Sequence, residues 1–237
     1  ILCSVIGDDD GAKTFLELLK ENKLSAKGIL KSKKRITTVK TRVISSNHQM
    51  LRVDEEIESS IDSKEIQSLI AEVKKLIASE KIDVIIFEDY DKGAINAELI
   101  KTVVTLAKQK GIPTVVDPKR KNFMDYTGIT LFKPNLKELK EGLKIDFNHN
   151  NIKELDKVVS GFIKKQNITT ALITLSEKGV YTHSAKTKAL VPAYIRNISD
   201  VSGAGDTVVS VAALCLAANL SPVTTATLAK LDAGLVC

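Results

Sequence analysis

Short apolar runs alternate with segments of helical periodicity along most of the chain. Leucine, isoleucine and valine recur at three- and four-residue steps over about residues 63–80, which predicts an amphipathic helix there. Asp62 and Glu65 resemble the two ends of a capping box at its start. A strand is predicted over 83–89 and another helix over roughly 151–166. This alternation is typical of a mainly parallel sheet with helices on both faces, an α/β fold.

One segment breaks this alternation. Residues 36–54 are rich in β-formers, partly alternating, and have no helix beside them. They predict a β-hairpin outside the main sheet, a small β lid within a single domain that covers residues 1–237. The exposed strand edges of such a lid are able to pair with a second copy of the chain, so a homodimer through the lid is one expected partnership.

Composition limits the partners. Of the 237 residues, 43% are hydrophobic and 27% are charged, as in ordinary globular proteins. The net charge of +6 is scattered apart from a basic cluster at 31–35, and aromatic residues make up only 4%. A nucleic-acid-binding protein usually concentrates its basic residues on one face, so we expect no nucleic acid partner. A basic pocket for small phosphorylated ligands fits the charge better.

The cysteines and the apolar runs indicate the compartment. Cys3, Cys215 and Cys237 lack metal-ligand spacing, and the first two lie in apolar runs, where we expect them in the core. Without a disulfide pattern the expected compartment is a reducing cytoplasm. The longest apolar run, 208–220, is too short to cross a bilayer, so no membrane partner is expected. The chain opens inside a strand-like run without an initiator methionine, which suggests an incomplete N-terminus.

Polar clusters follow several predicted strands. In parallel sheets, ligands bind beyond the carboxyl ends of the strands, so clusters at these ends are candidate site residues. The clusters fall at residues 88–93, 117–119, 133–138 and 174–179.

The stretch DVSGAGDT at 200–207 adds a further candidate. Gly203 and Gly205 allow backbone angles that other residues resist, so the amides of Gly203, Ala204 and Gly205 are able to converge on an anion. A helix predicted to start near Thr207 adds the positive end of its dipole. Asp206 beside this anion hole would accept a proton during phosphoryl transfer. The alternative is that Asp206 only caps the helix and the glycines only turn the chain.

Two common phosphate-binding motifs are absent from the sequence. No Gly-x4-Gly-Lys-Ser/Thr sequence occurs, which excludes a P-loop nucleotidase. No Gly-x-Gly-x-x-Gly follows a strand, which argues against a dinucleotide-dependent dehydrogenase.

Several motifs carry a family resemblance. GAGD at 203–206 and NLKE at 135–138 resemble the signatures of ribokinase-like (phosphofructokinase-B-type) carbohydrate kinases. Within that family, segments 39–54, 89–93, 117–138 and 200–208 resemble the D-glycero-β-D-manno-heptose-7-phosphate kinases, the kinase domain of ADP-heptose synthase. The resemblance covers nearly the whole chain.

The resemblance implies an activity and its cofactors. The implied enzyme uses ATP to phosphorylate the anomeric hydroxyl of heptose 7-phosphate in ADP-heptose and lipopolysaccharide-core biosynthesis. Asp206 would be the base, and the amides of Gly203, Ala204 and Gly205 the anion hole. Asn135 and Glu138 would hold Mg²⁺ through water, or would instead form a capping box at a helix start. A monovalent cation is a further candidate cofactor.

The resemblance also implies ligand contacts. Thr174, Ser176 and Gly179 lie where the family binds nucleotide, although a simple turn between strands explains them too. The candidate contacts to the sugar phosphate are Lys40, Arg42, Asp89, Lys92 and Lys119. Lys40 and Arg42 lie two residues apart and would share one face of a lid strand. For each of the five, a charge exposed to solvent is the alternative interpretation, and for Lys119 phosphate binding is the preferred one.

The chain departs from the family pattern in places. The first strand and the Gly-Gly-Ala-x-Asn motif of the family are not found, Glu88 stands where the heptose branch tends to have serine, and Ser46 where a basic residue is common. Another ribokinase-like sugar kinase and a non-catalytic ligand-binding remnant therefore stay open as alternatives. The three histidines, His48, His149 and His183, follow no ligand pattern and are expected at the surface or in the lid.

Overall fold

The chain is divided into two compact units. The computed structural model describes residues 1–46, 48–193 and 203–236. Unit 1 comprises residues 1–80 and 91–99, and unit 2 comprises residues 81–90 and 100–237.

Unit 1 contains a small parallel sheet and two helices. Strands β1 (Cys3–Ile6) and β2 (Gly28–Lys31) pair in parallel, with helix α1 (Asp10–Glu21) between them in the chain. Helix α2 (Ser63–Ser79) agrees with the predicted helix. Asp62 accepts a hydrogen bond from the Glu65 amide at 2.9 Å, and Glu65 accepts one from the Asp62 amide at 3.1 Å. The predicted capping box is therefore confirmed.

The predicted β-hairpin is present in unit 1 as a two-stranded antiparallel ribbon. It consists of β3 (Val39–Ser45) and β4 (His48–Glu55), with an irregularity in register between Val43 and Ile44. Side chains alternate between its two faces. One face carries Lys40 and Arg42, as predicted. The opposite face carries four exposed apolar side chains, Val39, Val43, Leu51 and Val53, together with the polar Thr41 and Glu55.

Unit 2 is built on a six-stranded sheet. Its strands are β5 (Ile85–Glu88), β6 (Thr114–Asp117), β7 (Leu131–Phe132), β8 (Thr170–Thr174), β9 (Val180–Ser184) and β10 (Lys188–Val191). They lie in the order β10-β9-β8-β7-β6-β5. The four strands β5 to β8 are parallel, and β9 and β10 are antiparallel to their neighbours. The predicted α/β fold with a mainly parallel sheet is confirmed.

The remaining helices follow the predicted alternation. They are α3 (Ala97–Lys110), α4 (Leu136–Leu143), α5 (Ile152–Gln166), α6 (Ala204–Ala217) and α7 (Pro222–Val236). Small residues of α6 and α7 pack with the aliphatic residues of the sheet in one buried cluster, which includes Val115, Leu131, Leu172, Ala212 and Ala226. Because alanines face the strands, helix and sheet approach closely there.

Three expectations about single residues have mixed outcomes. Cys215 is buried as predicted, but Cys3 is exposed, so its assignment to the core was wrong. His183 is only 6% exposed in β9, where Asp156 and Tyr181 surround its ring, so its assignment to the surface was wrong as well. Within the described residues, no helix is both long enough and apolar enough to cross a membrane.

Candidate active site

The polar clusters of unit 2 lie at the carboxyl ends of its parallel strands. Glu88 and Asp117 are the last residues of β5 and β6 and stand opposite each other in the register. Lys133 directly follows β7, and Thr174 ends β8. Ligands of parallel sheets bind beyond the carboxyl ends of the strands, so these residues form one candidate site.

The N-terminus of α6 has the features expected of an anion site. Gly203 adopts a left-handed conformation at φ 83° and is the N-cap, and no side chain among the described residues caps the helix. The helix begins at Ala204, three residues before the predicted start near Thr207. The first amides of a helix lack partners within it, so they are available to an anion. Residues 200–202 of the motif lie outside the described residues.

Asp206 lies in the first turn of α6 and is exposed. Its Oδ1 accepts a hydrogen bond from the Tyr90 hydroxyl at 3.1 Å. Gly203 is the N-cap, and among the described residues no side chain forms a capping bond, so Asp206 is not the N-cap; a carboxylate in the first turn also favours the helix dipole.

Three carboxylates converge at this end of the sheet. One oxygen from each of Glu88, Asp117 and Asp206 lies within 4.8 Å of the others, and we call this group the carboxylate cluster. Asp117 is buried, Glu88 is partly buried and Asp206 is exposed, so the cluster opens to solvent at Asp206.

Two lysines balance part of this negative charge. The buried Lys133 places Nζ 3.2 Å from Asp117 Oδ1 and donates a hydrogen bond to the Gly205 carbonyl at 3.3 Å. It thereby links β6 to the first turn of α6. Lys119 donates a hydrogen bond to Glu138 Oε1 at 2.5 Å and lies 3.6 Å from Asp117 Oδ1. A lysine exposed to solvent, the alternative predicted for Lys119, would not make these contacts.

The cluster alters the acidity of its members. Burial, together with the charges of Asp117 and Asp206, raises the pKa of Glu88 to about 7. Burial also raises the pKa of Asp117, although Lys133 and Lys119 oppose that rise. The pKa of Tyr90 is raised by burial and by Asp206 and Glu88. Perturbed carboxyl groups at an open cleft are typical of functional sites.

Asn135 and Glu138 form the capping box that the sequence left open as an alternative. Asn135 accepts a hydrogen bond from the Glu138 amide at 2.8 Å, and Glu138 Oε2 accepts one from the Asn135 amide at 2.8 Å. Their side chains are hard oxygen donors at the same end of the sheet. This donor set fits Mg²⁺ held through water, because that ion keeps much of its hydration shell.

Thr174, Ser176 and Gly179 form the turn from β8 to β9. Ser176 begins a single 3₁₀ turn, and Gly179 has φ 95°. A Cβ atom at Gly179 would lie 2.0 Å from the Val191 carbonyl oxygen, so only glycine fits there. The predicted turn is confirmed. The role of Thr174, Ser176 and Gly179 in nucleotide binding stays a prediction.

The predicted sugar-phosphate contacts are distributed over both units. In unit 2, Asp89 is 2% exposed and accepts hydrogen bonds from Asn122 Nδ2 at 2.9 Å and from the Tyr126 hydroxyl at 2.8 Å, so it is not a solvated loop charge. In unit 1, Lys92 forms ion pairs of 2.6 Å with both Glu56 and Glu58.

The two predicted lid cations of unit 1 differ in their contacts. Lys40 pairs with Glu56 at 2.8 Å and with Asp54 at 3.4 Å. Arg42 is exposed and stands opposite Arg52 in the register of the ribbon. Arg52 forms an ion pair of 2.8 Å with Asp54, so its charge is balanced within the ribbon.

Sequence reasoning missed four members of the site. Glu88, Tyr90, Asp117 and Lys133 all lie in the strand-end clusters, but no role was assigned to any of them. Their position directly after parallel strands was the available signal.

The fold and the site define the class of protein first: an α/β protein in which a helix that starts after a left-handed glycine lies beside a group of carboxylates. Solved structures share this fold. Escherichia coli phosphofructokinase-2 in complex with fructose-6-phosphate matches with a TM-score of 0.74 at 18% identity, covering 98% of this chain and 74% of that one. A ribokinase from Thermotoga maritima matches with a TM-score of 0.68 at 15% identity, covering 98% and 72%.

Sequence comparison then identifies the family. The model of the pfkB family carbohydrate kinases matches residues 1–237, and the chain belongs to that family. The bifunctional protein HldE of Helicobacter pylori (strain J99) is 35% identical over 217 residues, 91% of this chain and 46% of the relative. HldE of Sulfurimonas denitrificans is 34% identical over 232 residues, 98% of this chain and 48% of the relative. The chain thus spans about half the length of the curated relatives it matches.

Proposed function

We propose that this sugar kinase transfers the γ-phosphoryl group of ATP to the anomeric hydroxyl of D-glycero-β-D-manno-heptose 7-phosphate, in ADP-heptose and lipopolysaccharide-core biosynthesis. The observation that carries the chemistry is Asp206, an exposed carboxylate in the first turn of a helix that begins after the left-handed Gly203. The choice of sugar rests on the sequence resemblance and on the HldE relatives.

The proposed reaction is an in-line phosphoryl transfer. Asp206 accepts the proton of the anomeric hydroxyl as its oxygen bonds to the γ-phosphorus. The bond between the γ-phosphorus and the oxygen bridging to the β-phosphate breaks, and ADP leaves with that electron pair. The amides of Gly203, Ala204 and Gly205 hold the transferring group, since phosphoryl transfer depends mainly on positioning and charge stabilisation.

Lys133 keeps this arrangement in place. Its bond to the Gly205 carbonyl and its ion pair with Asp117 fix the first turn of α6 against the sheet. Asn135 and Glu138 would hold Mg²⁺ through water, and the ion would neutralise charge on the phosphates. We assign Thr174, Ser176 and Gly179 to the nucleotide. A monovalent cation is kept as a further cofactor, since one related structure, E. coli phosphofructokinase-2, is a complex with potassium.

The charged residues of the lid and of two loops would bind the sugar phosphate. Lys40 and Arg42 share one face of β3, and an arginine grips a phosphate through two hydrogen bonds. Lys92, Asp89 and Lys119 complete the proposed set. Asp89 is already fixed by Asn122 and Tyr126, which would preorganise it for a sugar hydroxyl.

The test of the proposed function is a substrate panel with the full-length protein. Heptose 7-phosphate, fructose 6-phosphate, ribose and free heptose are each offered with Mg²⁺ and ATP, and ADP release is measured. We expect the highest kcat/KM for heptose 7-phosphate. A higher value for fructose 6-phosphate would favour the second candidate, a kinase for another sugar phosphate, which the fold of the fructose-6-phosphate complex supports. Binding without turnover of any member would identify a non-catalytic remnant.

We also propose that the lid forms a homodimer in the cytoplasm. A two-stranded ribbon is marginal by itself, and the apolar face of this one is exposed. A second ribbon packed on Val39, Val43, Leu51 and Val53 would bury that face. Light scattering on wild type and on Val43→Asp/Leu51→Asp checks it: a wild-type monomer would refute the proposal.

A further inference from the structure

Unit 2 also contains an apolar cleft that shares no residue with the candidate active site. The cleft has a volume of about 430 Å³ and lies between the end of α4, the loop that follows it and one face of α5. Its apolar lining consists of Leu143, Ile145, Phe147, Val158 and Phe162. Sites for small molecules in proteins have volumes in this range, so the cleft is large enough for a small ligand.

Hydrogen bonds and ring contacts hold the walls of the cleft in place. Glu154 Oε2 accepts a hydrogen bond from the Asn148 amide at 2.9 Å, which ties the loop to the first turn of α5. The ring of Phe162 packs against the ring of Phe132 in the sheet, with centroids 4.9 Å apart. Ile145 remains 41% exposed at the edge of the cleft. The cleft is therefore preformed, which lowers the cost of binding.

Gly161 keeps the cleft open. It lies in the interior of α5, where glycine is less favourable than alanine or leucine. Its φ is not in the left-handed region, and a Cβ atom there would meet nothing within 4 Å. Neither the backbone nor the packing of the chain therefore requires glycine at this position. Because Gly161 is part of the lining, a large side chain there would occupy the cleft.

Two lysines of α5 give the cleft a positive rim. Lys157 and Lys165 are part of the lining and lie eight residues apart, about 12 Å along the helix axis. Among the described residues, no carboxylate lies within ion-pair distance of either lysine. Glu154, the acidic residue of the lining, instead accepts hydrogen bonds from the Asn148 amide and from Asn151 Nδ2. An apolar cleft with two unpaired cations complements a ligand that has an apolar body and an anionic group.

We propose that this cleft is a second ligand site, which binds a small amphipathic anion: an aliphatic or aromatic body that carries a carboxylate or phosphate group. The apolar body lies on Phe162 and over Gly161, and the anionic group pairs with Lys157 or Lys165. This site goes beyond the proposed kinase reaction and does not depend on it.

The experiment compares octanoate with octan-1-ol, which share one apolar chain and differ in charge. Each is titrated into the protein, and the backbone amide signals are followed by two-dimensional NMR. We expect octanoate to shift the amide signals of the cleft residues in a saturable way. It should bind about two- to fivefold more tightly than octan-1-ol, the contribution of one exposed ion pair, and octyl phosphate should share this preference.

Four variants locate the site. Gly161→Leu should fill the cleft and abolish the shifts, and its thermal unfolding temperature should not fall, because leucine favours the helix. Gly161→Ala adds a single methyl group and is the matched control, which should retain binding. Lys157→Gln/Lys165→Gln should bind octanoate and octan-1-ol equally. Lys164→Gln, an exposed position of α5 outside the lining, should behave like wild type.

Three results would overturn the proposal. The first is a wild-type protein that shows no saturable octanoate shifts, or shifts that survive in Gly161→Leu. The second is a preference for octanoate that persists in Lys157→Gln/Lys165→Gln, since the lysines would then not bind the anionic group. The third is a set of shifts centred on the start of α6 or on the turn from β8 to β9, which would place octanoate in the candidate active site.

Discussion

Unit 2 contains two groups of carboxylates and cations that resemble each other in composition but differ in how well they are satisfied. The carboxylate cluster lies at the ends of β5 and β6. The second group, which we call the Asp156 network, joins α5 to β9 and β10. Asp156 accepts hydrogen bonds from the Tyr181 hydroxyl at 2.8 Å and from Lys188 at 2.8 Å, and His183 Nδ1 lies 3.2 Å away.

The carboxyl pKa values are shifted in opposite directions in the two groups. The hydrogen bond from Lys188 lowers the pKa of Asp156, whereas burial raises the pKa of Glu88 and of Asp117. In the Asp156 network each charge has a partner, so the group stabilises the fold. In the carboxylate cluster the negative charge exceeds its compensation, as expected where a ligand or a moving proton completes the site.

The largest expected effect is catalytic. Asp206→Asn should lower kcat by about 10²–10⁴-fold, the usual contribution of a positioned base, with little change in the affinity for ATP or sugar phosphate. Asp156→Asn is the matched control and should leave kcat unchanged. Steady-state kinetics on both variants check this; an Asp206→Asn enzyme with more than about a third of wild-type turnover would exclude Asp206 as the base.

A second effect concerns stability. Lys133→Met removes the charge paired with buried Asp117 and should cost about 3–5 kcal/mol in urea unfolding. The double variant Lys133→Met/Asp117→Asn should recover much of that loss. Lys188→Met breaks a half-exposed pair and should cost less than about 1 kcal/mol. Equal costs for the two single variants would contradict the distinction between the groups.

A third effect concerns the metal ion. Glu138→Gln should raise the Mg²⁺ concentration for half-maximal rate by about tenfold or more, since the charge that orders the hydrated ion is lost. Gln at position 138 preserves the acceptor of the capping box, so helix α4 should stay intact by circular dichroism. An unchanged Mg²⁺ titration would leave the Asn135–Glu138 pair with the capping role alone.

The smallest expected effect is a difference in pH dependence. The folded pKa of Asp156 is lowered, so its contribution to stability is present above about pH 4 and is lost as the pH falls. The folded pKa of Glu88 is raised to about 7, so its relative stabilisation is present below about pH 4.5 and is lost as the pH rises through 7.

Urea unfolding at several pH values tests this opposition. Glu88→Gln should gain stability over wild type between pH 5 and pH 8, by about 1 kcal/mol after allowance for the partial exposure of the group. Asp156→Asn should be less stable than wild type at pH 7, with the gap closing toward pH 3.5. If the difference in unfolding free energy from wild type had the same sign and the same pH dependence for both variants, the two groups would not differ.

The sequence predicted the fold well because its signals are local. The periodicity of α2, the capping box at Asp62 and the β-rich lid segment each depend on neighbouring residues. The strand-end clusters were predicted to meet because parallel strands bring their carboxyl ends to one edge. Asp206 and the glycines of its turn were found from the same kind of local pattern.

What the sequence did not reveal depends on contacts between distant segments. The interaction of Lys133 with the Gly205 carbonyl joins residues 72 positions apart, and no local pattern marks it. The same holds for His183, which Asp156 and Tyr181 accommodate in the interior. Glu88 was noted in a strand-end cluster and as a departure from the family pattern, but its closeness to both Asp117 and Asp206 is visible only in three dimensions.

Under the proposed nucleotide role of residues 174–179, the turn at Gly179 has a consequence for engineering this enzyme toward another nucleotide. A saturation library across 174–179 would be mostly unfolded if position 179 were randomised, because any Cβ there meets the Val191 carbonyl. Ser176 and Glu177, by contrast, are exposed at the tip of the same turn. A library that fixes position 179 and varies these two therefore samples the loop chemistry while it keeps the backbone that β9 and β10 require.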